Sequence, residues 1–267
     1  MKRMLILFGF AVSLYVNAQD ADSVRKEIDR LPSFGIYKDN YFTLGTSVGT
    51  KITQENSDVK FQISIRQRLT NSVLPFHSYL FLFYTQKTFW NVFENSFPMH
   101  DVNFNPGIGW AKMIIRDARV VGNAMLLLEH ESNGKDGESS RSWNKLGLTV
   151  SYLVSPTVMI HGKAFIPLID GQQNSDILDY CGFVQLGIQK KPANKHWIFN
   201  LILNKRKGFN LNFNTTIEFG LHLARNANQY LFLQYYNGYG ENLLDYKQFH
   251  SRLRIGLLIC PRFFSNF

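Results

Sequence analysis

Hydrophobic and polar residues alternate along much of the chain. Over 211–223 the odd positions are Leu211, Phe213, Thr215, Ile217, Phe219, Leu221 and Leu223, while Asn212, Asn214, Thr216, Glu218 and His222 fall between them. Successive side chains of a strand point to opposite faces, so this run predicts a strand with one apolar and one polar face. Phe61, Ile63 and Ile65 against Gln62, Ser64 and Arg66 repeat the pattern, as do Leu253, Ile255, Leu257 and Ile259 against Arg252, Arg254 and Gly256. Such segments recur roughly every 15–20 residues, separated by Gly, Asn, Asp or Pro. They lie near 41–50, 59–68, 78–87, 107–116, 120–131, 142–154, 157–167, 180–190, 195–204, 211–223, 228–237 and 251–260. Each is about 10 residues long, which suits a tilted strand crossing a bilayer. An even number lets the sheet close with both termini on one side, and lipid offers no partner for an open edge. The predicted fold class is therefore all-β: a transmembrane antiparallel β-barrel of about 12 strands. A soluble β-sandwich, whose strands also alternate, is the competing architecture.

Composition narrows the choice. The chain has 267 residues, 45% apolar and 18% charged, with aromatics at 15%. That is enough apolar surface to exclude a disordered chain. No run of about 20 apolar residues follows the first twenty positions, which excludes a bundle of membrane helices. The aromatics cluster near predicted strand ends, at Tyr41-Phe42, Phe89-Trp90, Trp143, Trp197, Tyr235-Tyr236 and Phe263-Phe264, where interfacial girdles are expected. A terminal aromatic, Phe267, resembles the insertion signal of outer-membrane barrels.

Residues 1–18 read as a secretory signal peptide: Lys2 and Arg3, then an apolar stretch, then the small-residue site Val16-Asn17-Ala18. Residues 19–36 form a short N-terminal polar arm in this reading, and 37–267 the barrel domain. The formal net charge is +9. An exported protein rarely meets nucleic acid, so no nucleic-acid partner is expected. Lys190-Lys191, Lys195 and Lys205-Arg206-Lys207 fall in turn-like places, as solvated loops or as contacts to anionic lipid headgroups. Cys181 and Cys260, far apart within apolar stretches, read as free buried thiols.

One stretch carries chemistry. His130-Glu131-Ser132-Asn133-Gly134 ends a strand, and Ser139-Ser140-Arg141-Ser142-Trp143-Asn144 opens the next. Residues two apart on a strand share a face, roughly 7 Å apart, so His130 and Ser132 can meet. A turn centred on Gly137, in an Asp-Gly pair, brings Asn144 beside His130. That gives a nucleophile (Ser132), a base (His130) and an orienter for the imidazole (Asn144). By parity His130 shares its face with Ala124, Leu126 and Leu128, and Asn144 with Leu146, Leu148 and Val150, opposite Glu129 and Glu131. The reactive groups are expected on the apolar, outward side, which suits an enzyme whose substrate is the bilayer. A lone His-x-Ser pair is more often accidental. A non-catalytic barrel (porin or structural protein) and a soluble periplasmic serine hydrolase stay open at this point.

The run His130-x-Ser132-Asn133-Gly134 followed by Ser140-Arg141-Ser142-Trp143-Asn144 resembles the hallmark of the outer-membrane phospholipase A family of Gram-negative bacteria. Tyr84-Thr85-Gln86-Lys87 with Trp90, Val59-Lys60-Phe61-Gln62 and the run from Gly238 to Tyr246 match as well. The resemblance extends from Tyr37 to Phe267. It implies a twelve-stranded barrel in the outer membrane and calcium-dependent hydrolysis of acyl esters in phospholipids and lysophospholipids. It also implies a homodimer in the active state. By position it implies Ser132, His130 and Asn144 as the catalytic triad and the Gly134 amide in the oxyanion hole. Ca2+ would be held by the Ser140 hydroxyl and the Lys135 carbonyl, with the Ser96 carbonyl supplied across the dimer. Gln86 would be a polar contact between subunits, or else an ordinary barrel-interior amide. Asp136 and Glu138 read as solvated turn residues or as further calcium ligands. The remaining histidines, His77, His100, His161, His196, His222 and His250, show no close metal spacing.

Overall fold

The structure, a computed structural model, describes residues 21–168, 174–224 and 228–261. The signal peptide, Phe263-Phe264 and Phe267 lie outside them. Residues 21–30 form helix α1. The strands are β1 (Phe34–Ile36), β2 (Asn40–Ser47), β3 (Ser57–Arg68), β4 (Tyr79–Trp90), β5 (Met99–Arg116), β6 (Arg119–Ser132) and β7 (Ser142–Ser155). They continue as β8 (Val158–Leu168), β9 (Val184–Lys190), β10 (Trp197–Lys205), β11 (Phe213–His222), β12 (Gln229–Gly238) and β13 (His250–Ile259), with a short helix α2 (Ile177–Cys181) before β9.

Every strand pairs antiparallel with its neighbours, and pairings of β13 with β2 and of β3 with β4 close the sheet. β1 and β2 pair with the two ends of β3, so they are two halves of one interrupted strand, and the barrel has 12 staves. Closure leaves no unpaired edge, the condition lipid imposes on β-structure. Outward positions carry exposed Phe42, Leu44, Leu82, Leu148, Leu221, Leu231, Ile255 and Leu257, an apolar belt that a water-soluble sandwich would bury. No described helix is long and apolar enough to cross a membrane.

The connections differ between the two ends. At the terminal end they include two-residue turns at 117–118 and 156–157, with 69–78 a longer exception; at the other end none is so short, and they include 91–98, 133–141 and 239–249. Short turns face the periplasm and long loops the exterior in such barrels.

The lumen is filled. Near the terminal end it is apolar: Val24 and Ile28 of α1 pack on Tyr37, Tyr79, Phe81, Phe83, Ala111, Met125 and Leu127. Arg68 holds the helix there, donating to the carbonyls of Ile28, of Asp29 (2.7 Å) and of Leu31 (3.1 Å). Cationic donors at the last carbonyls satisfy groups that a helix leaves unpaired. Above this layer the lumen is charged. Arg254 grips Asp58 through two bonds of 2.7 and 2.8 Å and reaches Glu241 at 2.6 Å, while Lys60 bridges Glu241 (3.0 Å) and Gln234 (2.8 Å). Glu241 belongs to the 239–249 loop, which folds into the barrel and buries Leu243 and Tyr246 beside Trp143 and Ile177.

Three sequence expectations change. The polar arm contains a helix whose Val24 and Ile28, one turn apart, seal the barrel, and residues 34–36 already join the sheet. β5 begins at Met99, not near 107. The aromatic doublets within the described strands supply one girdle member each, because adjacent residues face opposite ways. Tyr41, Phe89 and Tyr236 point inward, and so does Trp143, which shares parity with Lys145. Cys181 and Cys260 are both free.

Candidate active site

β6 and β7 pair with His130 opposite Asn144 and Ser132 opposite Ser142. His130 and Asn144 are exposed on the outer surface, in line with Leu126, Leu128, Leu146 and Leu148. His130 Nδ1 lies 2.9 Å from Asn144 Oδ1. An amide oxygen only accepts, so the hydrogen belongs on Nδ1 and Nε2 is left as the free base. Ser132 shares this face two residues along. Among the described hydrogen bonds none joins its hydroxyl to the imidazole; such bonds are often long before substrate arrives.

The opposite face of the same strands anchors them. Glu131, between the two reactive residues, points inward and accepts from Lys145 Nζ (2.6 Å) and Trp143 Nε1 (3.0 Å). Glu129 is paired with Lys163. Period two thus divides the work: odd residues fix β6 from within, even residues present chemistry outside.

The 133–141 loop is organised by Asn133, which is 3% exposed. Its Nδ2 donates to the Ser139 carbonyl and its Oδ1 accepts from the Arg141 amide, each at 2.9 Å. A third, longer bond (3.4 Å) comes from the Lys135 amide. Gly134 has φ +63°, and a Cβ there would stand 3.1 Å from the Phe104 ring, so glycine suits both the turn and the space. The loop is tied to its neighbours. Lys135 Nζ donates to the His100 carbonyl (2.9 Å), and His100 in turn pairs with Asp245 of the 239–249 loop. Burial raises the Asp245 carboxyl, but the bond and charge from His100 outweigh it and hold it below the usual carboxylate range.

The oxygens assigned to calcium by resemblance are of the right kind. The Ser140 hydroxyl and the Lys135 carbonyl are hard donors on one short loop, and neither takes part in any of the described hydrogen bonds. Two donors fall short of a calcium shell, which leaves room for water and for a second subunit. Asp136 and Glu138 are exposed. Ser96 sits on a different loop at the same end, exposed and with φ +67°. No group of three or more His, Cys, Asp or Glu suited to a metal occurs among the described residues.

Gln86 faces outward, in parity with Leu82. It accepts from Tyr84 Oη (2.9 Å) and donates to Thr88 Oγ1 (3.2 Å). The barrel-interior reading of this amide does not hold: Tyr84 and Gln86 stand half-buried on the outer wall, with Thr88 covered beside them. Cys181 is no rival nucleophile, since burial first and the Glu131 charge second push its thiol up to about 12.

The roles of Glu131 and Asn133 escaped the sequence reading. Parity put Glu131 inside, but its partners Lys145 and Trp143 depend on strand register, and Asn133 depends on the conformation of a whole loop.

Comparison with known proteins gives one answer. The family model described as Phospholipase A1 matches residues 31–259. The Phospholipase A1 of Escherichia coli K12 is 30% identical over 211 residues, 76% of this chain and 69% of that protein. That of Salmonella typhimurium is 29% identical over the same shares. Among solved structures, outer membrane phospholipase A from Escherichia coli superposes with a TM-score of 0.74 at 22% identity, covering 86% of this chain and all of that one. A Salmonella typhi outer membrane phospholipase dimer with bound calcium gives 0.73 at 23% identity, over 87% and 92% of the two chains. With a family match across nearly the whole barrel, the same closed sheet and a His–Asn pair on its outer wall, this chain belongs to the Phospholipase A1 family, the β-barrel phospholipases of the bacterial outer membrane.

Proposed function

We propose that this protein hydrolyses acyl ester bonds of phospholipids and lysophospholipids with a Ser132–His130–Asn144 triad on its lipid-facing wall, aided by calcium and switched on by dimerisation. The observation that carries the reading is the 2.9 Å His130–Asn144 contact, set among leucines on the outer surface. Substrate enters laterally from the outer leaflet, at the long-loop end.

The steps follow from the groups present. Ser132 Oγ attacks the acyl carbonyl while His130 Nε2 takes its proton. Asn144 keeps the other ring hydrogen on Nδ1. The Gly134 N–H, free of any described acceptor, faces the developing oxyanion. Collapse expels the alcohol, which recovers the proton from His130. Water, deprotonated by the same imidazole, then releases the fatty acid from Ser132. Asn144 is neutral and gives the imidazolium no full charge. Calcium, held by Ser140 Oγ and the Lys135 carbonyl with the carbonyl of Ser96 of the partner subunit, would supply positive charge beside the oxyanion. The outward, half-buried Tyr84 and Gln86 offer a second subunit polar contacts that lipid tails cannot satisfy. A porin reading is opposed by the filled lumen, closed below by α1 and above by the 239–249 loop.

The test is fatty-acid release from phospholipid vesicles by refolded protein, with calcium and with chelator. Ser132→Ala is expected to abolish release and Asn144→Ala to keep a small remainder. Full activity in Ser132→Ala would refute the triad; activity that survives chelation would refute the metal role.

A further inference from the structure

The wall beside the triad contains a flaw, and one side chain repairs it. β5 and β6 pair regularly at Phe104↔Ser132 and again from Gly107↔Glu129 onward, but 105 and 106, though paired with β4, have no ladder partners in β6. Residue 106 is proline, which has no N–H to give. Proline in sheets belongs on edges or at bulges, where the missing donor meets water, and a closed barrel has no edges. The Asn133 amide donates to the Arg141 carbonyl, so odd residues at this end of β6 direct their backbone groups toward β7. Even residues, His130 among them, therefore direct theirs toward β5. The His130 carbonyl thus faces the one residue of β5 that cannot donate. Asn105 Nδ2 fills the place, 2.8 Å from that carbonyl oxygen.

We propose that Asn105 is a positioning residue for the base: its carboxamide replaces the ladder bond that Pro106 forbids and so fixes the backbone from which His130 presents its imidazole. The inference rests on the reading of His130 as base. The donor assignment needs no choice of amide orientation, because only the NH2 end can bond a carbonyl. Asn105 reaches this carbonyl from the lumen side, where it lines a polar cavity with Glu129 and Glu131, and without it the His130 carbonyl loses the partner that fixes its place in the ladder. β6 then loosens between its pairings at Ser132 and Glu129, the span that holds both His130 and the approach to Ser132. The contact to Asn144 survives, since β7 supplies it from the other side. What shifts is the height of the imidazole relative to Ser132 Oγ, and small misplacements of this kind are costly to rate.

The experiment compares four refolded proteins in vesicles: wild type, Asn105→Ala, Asn105→Ala/Pro106→Ala and Ser132→Ala. Turnover is read with the rate at which a fluorophosphonate labels Ser132. Labelling depends on His130 activating the serine and not on phospholipid binding. Asn105→Ala is expected to lower kcat and labelling together, by roughly 10- to 100-fold, with KM within a factor of two. The double variant restores a backbone N–H at 106 and is expected to recover most of both rates. A merely structural role would lower thermal stability without a matched loss of labelling. Unchanged labelling in Asn105→Ala, or a double variant as slow as the single, overturns the proposal. If Asn105→Ala does not refold, the double variant decides alone: refolding with activity supports the donor-replacement argument, and continued failure overturns it. Should Ser132→Ala hydrolyse normally, it is the triad reading that fails, whatever the Asn105 variants do.

Discussion

Asn133→Ala tests how far activity depends on the fixed shape of the 133–141 loop. The side chain is buried and makes two good hydrogen bonds to main-chain groups of its own loop, both at 2.9 Å. The third, at 3.4 Å, is too long to add much. Each good bond is worth about 1 kcal/mol net, and groups left unpaired in a half-buried loop raise the total to about 2–3 kcal/mol. At about 1.4 kcal/mol per factor of ten, the ordered loop becomes roughly 30- to 140-fold less favoured. The barrel should not notice, since the β6–β7 ladder is formed without this side chain. Calcium that binds only the ordered loop must now supply the ordering energy, so the concentration for half-maximal activity rises by up to that factor. Calcium titration of fatty-acid release, alongside urea unfolding of the same samples, separates the two effects. An unchanged calcium midpoint with unchanged turnover would refute the assignment of Asn133 as organiser of the loop. A matching loss of global stability would refute the separation of loop from barrel.

Two further outcomes follow from the walls and the lumen. Leu148→Arg puts a charge on the apolar belt and should lower the stability of the barrel in bilayers by about 2–4 kcal/mol if it lies near mid-depth, measured by reversible denaturant unfolding; no change would place that face outside lipid. Burial raises the Glu241 carboxyl, but the charges of Arg254 and Lys60 outweigh it and hold it well below its usual value. A depressed carboxylate stabilises above its unfolded pKa, and that contribution is lost as pH falls through the folded value. The 239–249 loop should therefore stay protease-resistant at neutral pH and become cleavable in strong acid. Glu241→Gln should allow cleavage already at pH 7, and equal resistance of both proteins would contradict the pairing.

The period-two pattern made β6, β7 and β11 legible, and with them the face on which His130 and Asn144 meet. It failed where one residue broke the signal. Pro106 argues against a central strand, so the first turns of β5 were hidden, although Asp101, Asn103 and Asn105 alternate with Val102 and Phe104. The helix at 21–30 was masked by Arg25, Lys26 and Glu27, which separate the single Val24–Ile28 pair. The burial of Glu241 beside Arg254, Asp58 and Lys60 depends on pairing across about 180 residues, which no local pattern encodes. Asn133 was visible within a motif, but its bonds to Ser139 and Arg141 arise only after the turn has formed.

The place where α1 docks also bears on assembly. Among the described residues, every hydrophobic side chain clustered with Val24 and Ile28 comes from the first half of the chain, none beyond Leu127. The stopper is thus complete as soon as β3 to β6 are side by side, before β13 has returned to meet β2. In pulse-labelled hydrogen exchange during refolding, amides of α1 and β4 should gain protection ahead of those in β12 and β13. The vessel would be corked while still an open trough, and the final seam would close around a finished base.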